Sequence, residues 1–76
     1  MQWQERINYN PKVCHGKACI KGTRVMVSVV LANVAAGESY ENIINGYHIK
    51  REDIQAALQF AADMAQNSLI PLPEAS

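Results

Sequence analysis

Hydrophobic positions change their period near residue 27. Before it, Ile7-Asn8-Tyr9-Asn10 alternates apolar and polar side chains and then meets Pro11, which favours extended backbone in the residue ahead of it. Val13-Cys14, a turn around His15-Gly16, and Cys19-Ile20-Lys21 read as a short β-hairpin, and Arg24-Val25-Met26-Val27 adds extended residues. Gly16 and Gly22 suit turns because glycine takes positive φ without penalty. From Ser28 the spacing becomes helical. Val27, Val30, Leu31, Val34 and Ala35 fall on one stripe at i, i+3, i+4, i+7 and i+8, and Gly37 stands where a helix ends in a left-handed residue.

Ser39 is a good N-cap for a second, short helix whose inward face is Tyr40, Ile43, Ile44 and Tyr47, with Glu38 and Glu41 near its positive end and Gly46 closing it. A third helix is predicted from Lys50 or Arg51 to about Gln66. Its apolar stripe is Ile54, Ala57, Leu58, Ala61 and Ala65, and Glu52 and Asp53 suit its first turn. Gln55, Gln59, Asp63 and Gln66 make its other face, and the many alanines keep it thin enough for close packing against its own core or a second copy. After Asn67 the period stops, because Pro71 and Pro73 cannot continue a helix. The predicted architecture is therefore mainly α, a short N-terminal hairpin followed by three helices, as one domain over 1–67 with a Pro-containing tail over 68–76. Leu69, Ile70 and Leu72 are apolar for a tail, which suits docking on a partner or covering the chain's own core.

Size and charge narrow the function. A domain of 76 residues buries only about 60% of its unfolded surface, so partners often complete its stability. Charged residues are 18% of the chain against an average of about 25%, which favours a self-association face. The net charge of zero argues against strong non-specific nucleic-acid binding. Charge is nevertheless split: Arg6, Lys12, Lys17, Lys21 and Arg24 face only Glu5 in residues 1–24, whereas Lys50 and Arg51 face six acids in residues 25–76. That split suits head-to-tail association or a basic edge meeting phosphate. The start Met1-Gln2-Trp3-Gln4-Glu5 lacks the basic and apolar regions of a signal peptide, and no stretch approaches the roughly 20 apolar residues that span a membrane, so a cytosolic location is expected.

Candidate chemistry is sparse. Gly16 to Gly22 resembles a phosphate-binding loop only superficially, since that loop needs Lys after its second Gly and Gly22 is followed by Thr23. Cys14, His15, Cys19 and His48 supply four potential zinc ligands, but their spacing matches no usual finger, and partly buried thiols are the simpler reading. A Cys14–Cys19 disulfide is disfavoured in a reducing compartment. No nucleophile, base and orienting acid fall together, so no enzymatic activity, metal or cofactor is expected. The helix order does carry information: helix, Gly-containing connection, short helix, short connection, longer helix is the order of a helix-turn-helix unit. In that arrangement the helix from Arg51 is the recognition helix. Lys50 and Arg51 would then reach phosphate, and Gln55 and Gln59 base edges. Glu52 and Asp53 oppose that reading, and a protein-binding or self-association module of the same shape is the alternative.

The string Gly16-Lys17-Ala18-Cys19-Ile20-Lys21-Gly22-Thr23-Arg24-Val25, with Glu52-Asp53-Ile54-Gln55-Ala56-Ala57-Leu58 further on, resembles a bacterial family known as domain of unknown function 433. The resemblance covers about residues 7–62. It departs where Ala18 replaces the usual Pro and where His48 replaces the Pro that commonly follows Tyr47. The resemblance implies a hairpin followed by a homeodomain-like helix-turn-helix. Members look like antitoxins of VapB type, which silence a PIN-like ribonuclease toxin and, as homodimers, repress their own promoter. On that basis Gly16, Lys17, Gly22, Thr23 and Arg24 form the hairpin motif, with Thr23 and Arg24 bracing it against the first helix. Lys50, Arg51, Gln55 and Gln59 are the DNA-contact candidates, and Leu69, Ile70 and Leu72 the toxin-contact candidates.

Overall fold

Residues 2–8 and 17–67 are described by the computed structural model. A 3-10 turn (Trp3–Glu5) leads into strand β1 (Ile7–Asn8), which pairs antiparallel with β2 (Cys19–Ile20); helices α1 (Val27–Ala35), α2 (Tyr40–Tyr47) and α3 (Arg51–Asn67) follow. The fold is mainly helical with a small antiparallel hairpin ahead of the helices, as the periodicity predicts. The strand opposite Cys19–Ile20 is Ile7–Asn8, with Ile7 facing Ile20 and Asn8 facing Cys19. Val13, Cys14 and the His15-Gly16 turn lie outside the described residues.

Strand β2 is bonded on both edges. On one side the Lys21 N–H donates to the Arg6 carbonyl at 2.8 Å; on the other Ile20 N–H donates to Val25 O at 2.9 Å and Val27 N–H to Ala18 O at 3.0 Å. The reversal between Ile20 and Val25 needs Gly22 at φ 78°. Thr23 then fixes it with its side chain: Oγ1 donates to Ile20 O at 2.8 Å and accepts from Val25 N–H at 3.0 Å. A hydroxyl that satisfies one carbonyl and one amide makes the turn self-contained.

The helix ends follow local chemistry. Gly37, at φ 88°, ends α1 in a Schellman arrangement, with Glu38 N–H donating to Asn33 O and Gly37 N–H to Val34 O. Ser39 Oγ accepts the Asn42 N–H at 3.1 Å and caps α2. The end of α2 departs from expectation: Gly46 lies inside the helix, and His48 takes the left-handed conformation at φ 57° and closes it. Ile44 O, which accepts from both His48 and Ile49 N–H, shows that the helix runs its full turn past Gly46.

Helix α3 is the spine, packing against α1, α2, β1 and the 3-10 turn. Ile20, Val27, Val30, Ile43 and Ile54 are almost wholly buried around it, and each full burial of this kind contributes about 1.5–3 kcal/mol. Ala56 and Ala57, both at 0% exposure, let neighbouring elements approach α3 within the chain itself. Three stripe positions are corrected: Ala35 and Ala65 are exposed, and so is Tyr47, whose hydroxyl meets Asn33 Nδ2 at 3.2 Å on the outside of α1. The core gains Trp3 and Ile49 instead, the first from the N-terminal turn and the second from the connection between α2 and α3. Among the described residues no helix is long and apolar enough to cross a membrane.

Candidate nucleic-acid interface

The candidate surface is the first half of α3 and what surrounds it. The carbonyl of Lys50 accepts from Asp53 N–H at 3.0 Å, which makes Lys50 the N-cap and Asp53 the third helical residue. Asp53 reaches back so that Oδ2 accepts the Lys50 N–H at 2.9 Å, one half of a capping box. Its other oxygen accepts from Arg6 Nη1 at 3.0 Å. Asp53 is only 7% exposed, so one of the two acids that oppose a phosphate contact in the sequence is turned into the fold and matched by a guanidinium, while the other, Glu52, stays exposed.

Lys50 and Arg51 are exposed at the head of α3. Arg51 is not loose: its guanidinium carbon lies 5.3 Å from the centre of the Tyr40 ring, so the first residue of α2 steers the first residue of α3. Gln55, one turn along, is exposed. Gln59 is exposed too, but its Nε2 donates to Asp63 Oδ1 at 3.0 Å. The same carboxylate accepts Trp3 Nε1 through Oδ2 at 2.6 Å, and Trp3 meets Phe60 edge-on with ring centres 5.0 Å apart. Lys50, Arg51 and Gln55 thus share an open edge, while Gln59 belongs to the fastening of the N-terminal turn.

The hairpin residues fall into two groups. Gly22 and Thr23 shape the turn, and the Thr23 bonds stay within it. Lys17, Lys21 and Arg24 are exposed, and no hydrogen bond or ion pair ties the Arg24 side chain to another described residue. Lys21 shares a polar cleft of about 270 Å³ with Glu5, Arg6 and Asp53. This places a hairpin cation near the head of α3, a neighbourhood that sequence spacing does not reveal. A second, apolar groove of about 440 Å³ is lined by Ala18, Val27, Ser28, Leu31 and Phe60, with Lys17 at its edge. Gly16, Leu69, Ile70 and Leu72 lie outside the described residues.

Cys19 is fully buried at 0% exposure, and Cys14 and His15 lie outside the described residues. Among the described residues no three His, Cys, Asp or Glu side chains are grouped as metal ligands.

Arg6, Trp3 and Ile49 are the residues that sequence reasoning missed. A signal existed for one partner of each polar tie: Lys50 to Asp53 has the cap-to-third-residue spacing of a capping box, and Asp63 stands i+4 from Gln59. Nothing in the periodicity points from them to residues 47 and 60 positions away.

No curated protein and no solved structure matches the chain. A family model described as protein of unknown function, DUF433, matches residues 7–61, from the first strand into the second half of α3. The chain belongs to the DUF433 family.

Proposed function

We propose that this chain is an antitoxin-like regulator that binds DNA through the first half of α3, acts as a homodimer, and neutralises a PIN-like ribonuclease toxin. The observation that carries the DNA contact is the burial of Asp53 against Arg6, which leaves Lys50, Arg51 and Gln55 exposed at the head of α3 with Glu52 as the one exposed acid of its first turn. Phosphate contacts from Lys50 and Arg51 would set register, and Gln55 would address a base edge, adenine being the natural partner of a glutamine amide. Gln59 has a smaller part in this reading than its spacing gives it, because Asp63 holds its amide. The toxin contact rests on the family resemblance and is assigned to Leu69, Ile70 and Leu72.

The test is titration of a labelled fragment of the protein's own promoter with the full chain at several salt concentrations. Operator binding requires log K to fall with log salt at about 0.9 per phosphate contacted, and requires Arg51→Glu to remove most of the affinity. Salt-independent binding, or equal affinity for the variant, rejects the DNA contact.

A second reading, a protein-interaction or self-association module that never touches DNA, is favoured by exposed Glu52 beside Arg51 and by the held amide of Gln59. In that case the promoter titration gives no complex, while sedimentation still shows an oligomer.

A further inference from the structure

Tyr40 and Arg51 each begin a helix, and the fold fixes both backbones before the side chains meet. Ser39 Oγ caps α2 by accepting the Asn42 N–H at 3.1 Å, which sets Tyr40 at its start. Asp53 accepts the Lys50 N–H at 2.9 Å and sets Arg51 at the head of α3 in the same way. Between the two helices Ile49, 5% exposed, anchors the connection in the core. The Tyr40 ring is half-buried and packs against the core, so it is a fixed platform. The exposed Arg51 guanidinium lies over it, Cζ 5.3 Å from the ring centre. No carboxylate among the described residues pairs with Arg51. Glu52 follows it directly, and helical neighbours one position apart do not face each other.

We propose that Tyr40 is a positioning residue for Arg51, holding its guanidinium in place in the free protein so that a DNA phosphate meets a ready-formed contact. The proposal rests on the DNA reading above and adds to it a residue of α2 that need not touch DNA. A loose arginine gives up rotamer freedom when it grips a phosphate, whereas one already held over a ring has given up part of it in folding. The ring face attracts the cation and offers no lone pair, so the guanidinium keeps its N–H donors for the phosphate oxygens. The aromatic ring carries this role and the tyrosine hydroxyl does not, so phenylalanine should serve as well.

The experiment is the promoter titration at low salt with the full chain and with Tyr40→Phe, Tyr40→Leu, Arg51→Ala and the double variant Tyr40→Leu, Arg51→Ala. Tyr40→Leu, which keeps an apolar side chain against the core, should weaken binding about two- to fivefold, the worth of an exposed cation–π contact. Tyr40→Phe should bind as the parent does. Once Arg51 is alanine, Tyr40→Leu should change nothing further. NMR of the free parent supplies a readout that needs no variant: the Arg51 side-chain N–H signal should be displaced by the ring current of Tyr40. The inference is overturned by an undisplaced signal, by a loss in Tyr40→Phe equal to that in Tyr40→Leu, or by a loss that persists in the Arg51→Ala background. Any of these in a parent that binds the promoter rejects the role of Tyr40 and leaves the DNA reading standing. A parent that forms no complex at any salt concentration rejects both.

Discussion

Arg6 Nη1 stands 3.0 Å from Asp53 Oδ1, and the pair joins the end of the N-terminal turn to the first turn of α3 across 47 positions of chain. The arginine side chain is 33% exposed and the aspartate side chain 11%, so solvent reaches one partner and hardly the other. Losing the arginine leaves a carboxylate that water cannot fully re-solvate. Losing the aspartate also removes the acceptor for Lys50 N–H. Arg6→Ala should therefore cost about 1–2 kcal/mol and Asp53→Ala about 2–3 kcal/mol, magnitudes typical of hydrogen bonds to charged groups. The double variant should cost clearly less than the two together. Urea unfolding of the four proteins measures this, and strict additivity would show that the two side chains act separately.

The Thr23 turn separates hydroxyl from methyl. Thr23→Ser keeps both bonds of Oγ1 and should stay within about 0.5 kcal/mol of the parent, whereas Thr23→Val loses a donor and an acceptor and should cost about 1–2 kcal/mol. Equal stability of the two variants would move the importance of Thr23 from its hydroxyl to its shape.

Three glycines should respond with opposite signs. Gly22 and Gly37 carry positive φ, and an added Cβ at either meets nothing within 4 Å, so alanine there costs only the left-handed backbone penalty, about 1–2 kcal/mol. Gly46 sits inside α2 in open space, and Gly46→Ala should gain about 1 kcal/mol of helix propensity. In thermal unfolding each kcal/mol should move the midpoint by roughly 4–8 °C. A loss of stability in Gly46→Ala would contradict the helix end at His48.

Asp63 offers a gain-of-affinity test of the proposed DNA contact. Asp63→Asn keeps an amide oxygen for Trp3 Nε1, removes a negative charge from the outer half of α3 and loosens the hold on Gln59. Operator affinity should rise by about two- to fivefold at low salt and converge on the parent's value as salt screens the charge. An unchanged or lower affinity at low salt would place the nucleic-acid contact away from this face.

How far the sequence discloses this arrangement depends on the range of the interaction. Gly37, Ser39 and the period of α3 act within a few residues, and each is where its chemistry predicts. Gly46 misleads because glycine is only permissive of a helix end. The helix stops where Ile49 must enter the core, which forces His48 into the left-handed region. Tyr47 sits on the apolar stripe by spacing, yet an eight-residue helix has a narrow buried face, and only Ile43 is fully enclosed. Asp53 reads as an acid on a DNA-facing turn because its partner, Arg6, belongs to an element with no periodicity of its own. The candidate edge at Lys50, Arg51 and Gln55 follows from helix order alone; the withdrawal of Gln59 from it depends on a contact spanning the domain.

Trp3 and Asp63 are sixty positions apart and in direct hydrogen-bonded contact, and this governs how the domain assembles. Helices α1 to α3 can form and meet through short connections, but the N-terminal turn must wait until nearly the whole chain has been brought round. Closing a loop of that length costs more entropy than any local step, and nothing rewards it before α3 exists. Docking of the tryptophan is therefore a late event in folding and an early one in unfolding. As the protein contains a single tryptophan, its fluorescence will report the making and breaking of that final clasp.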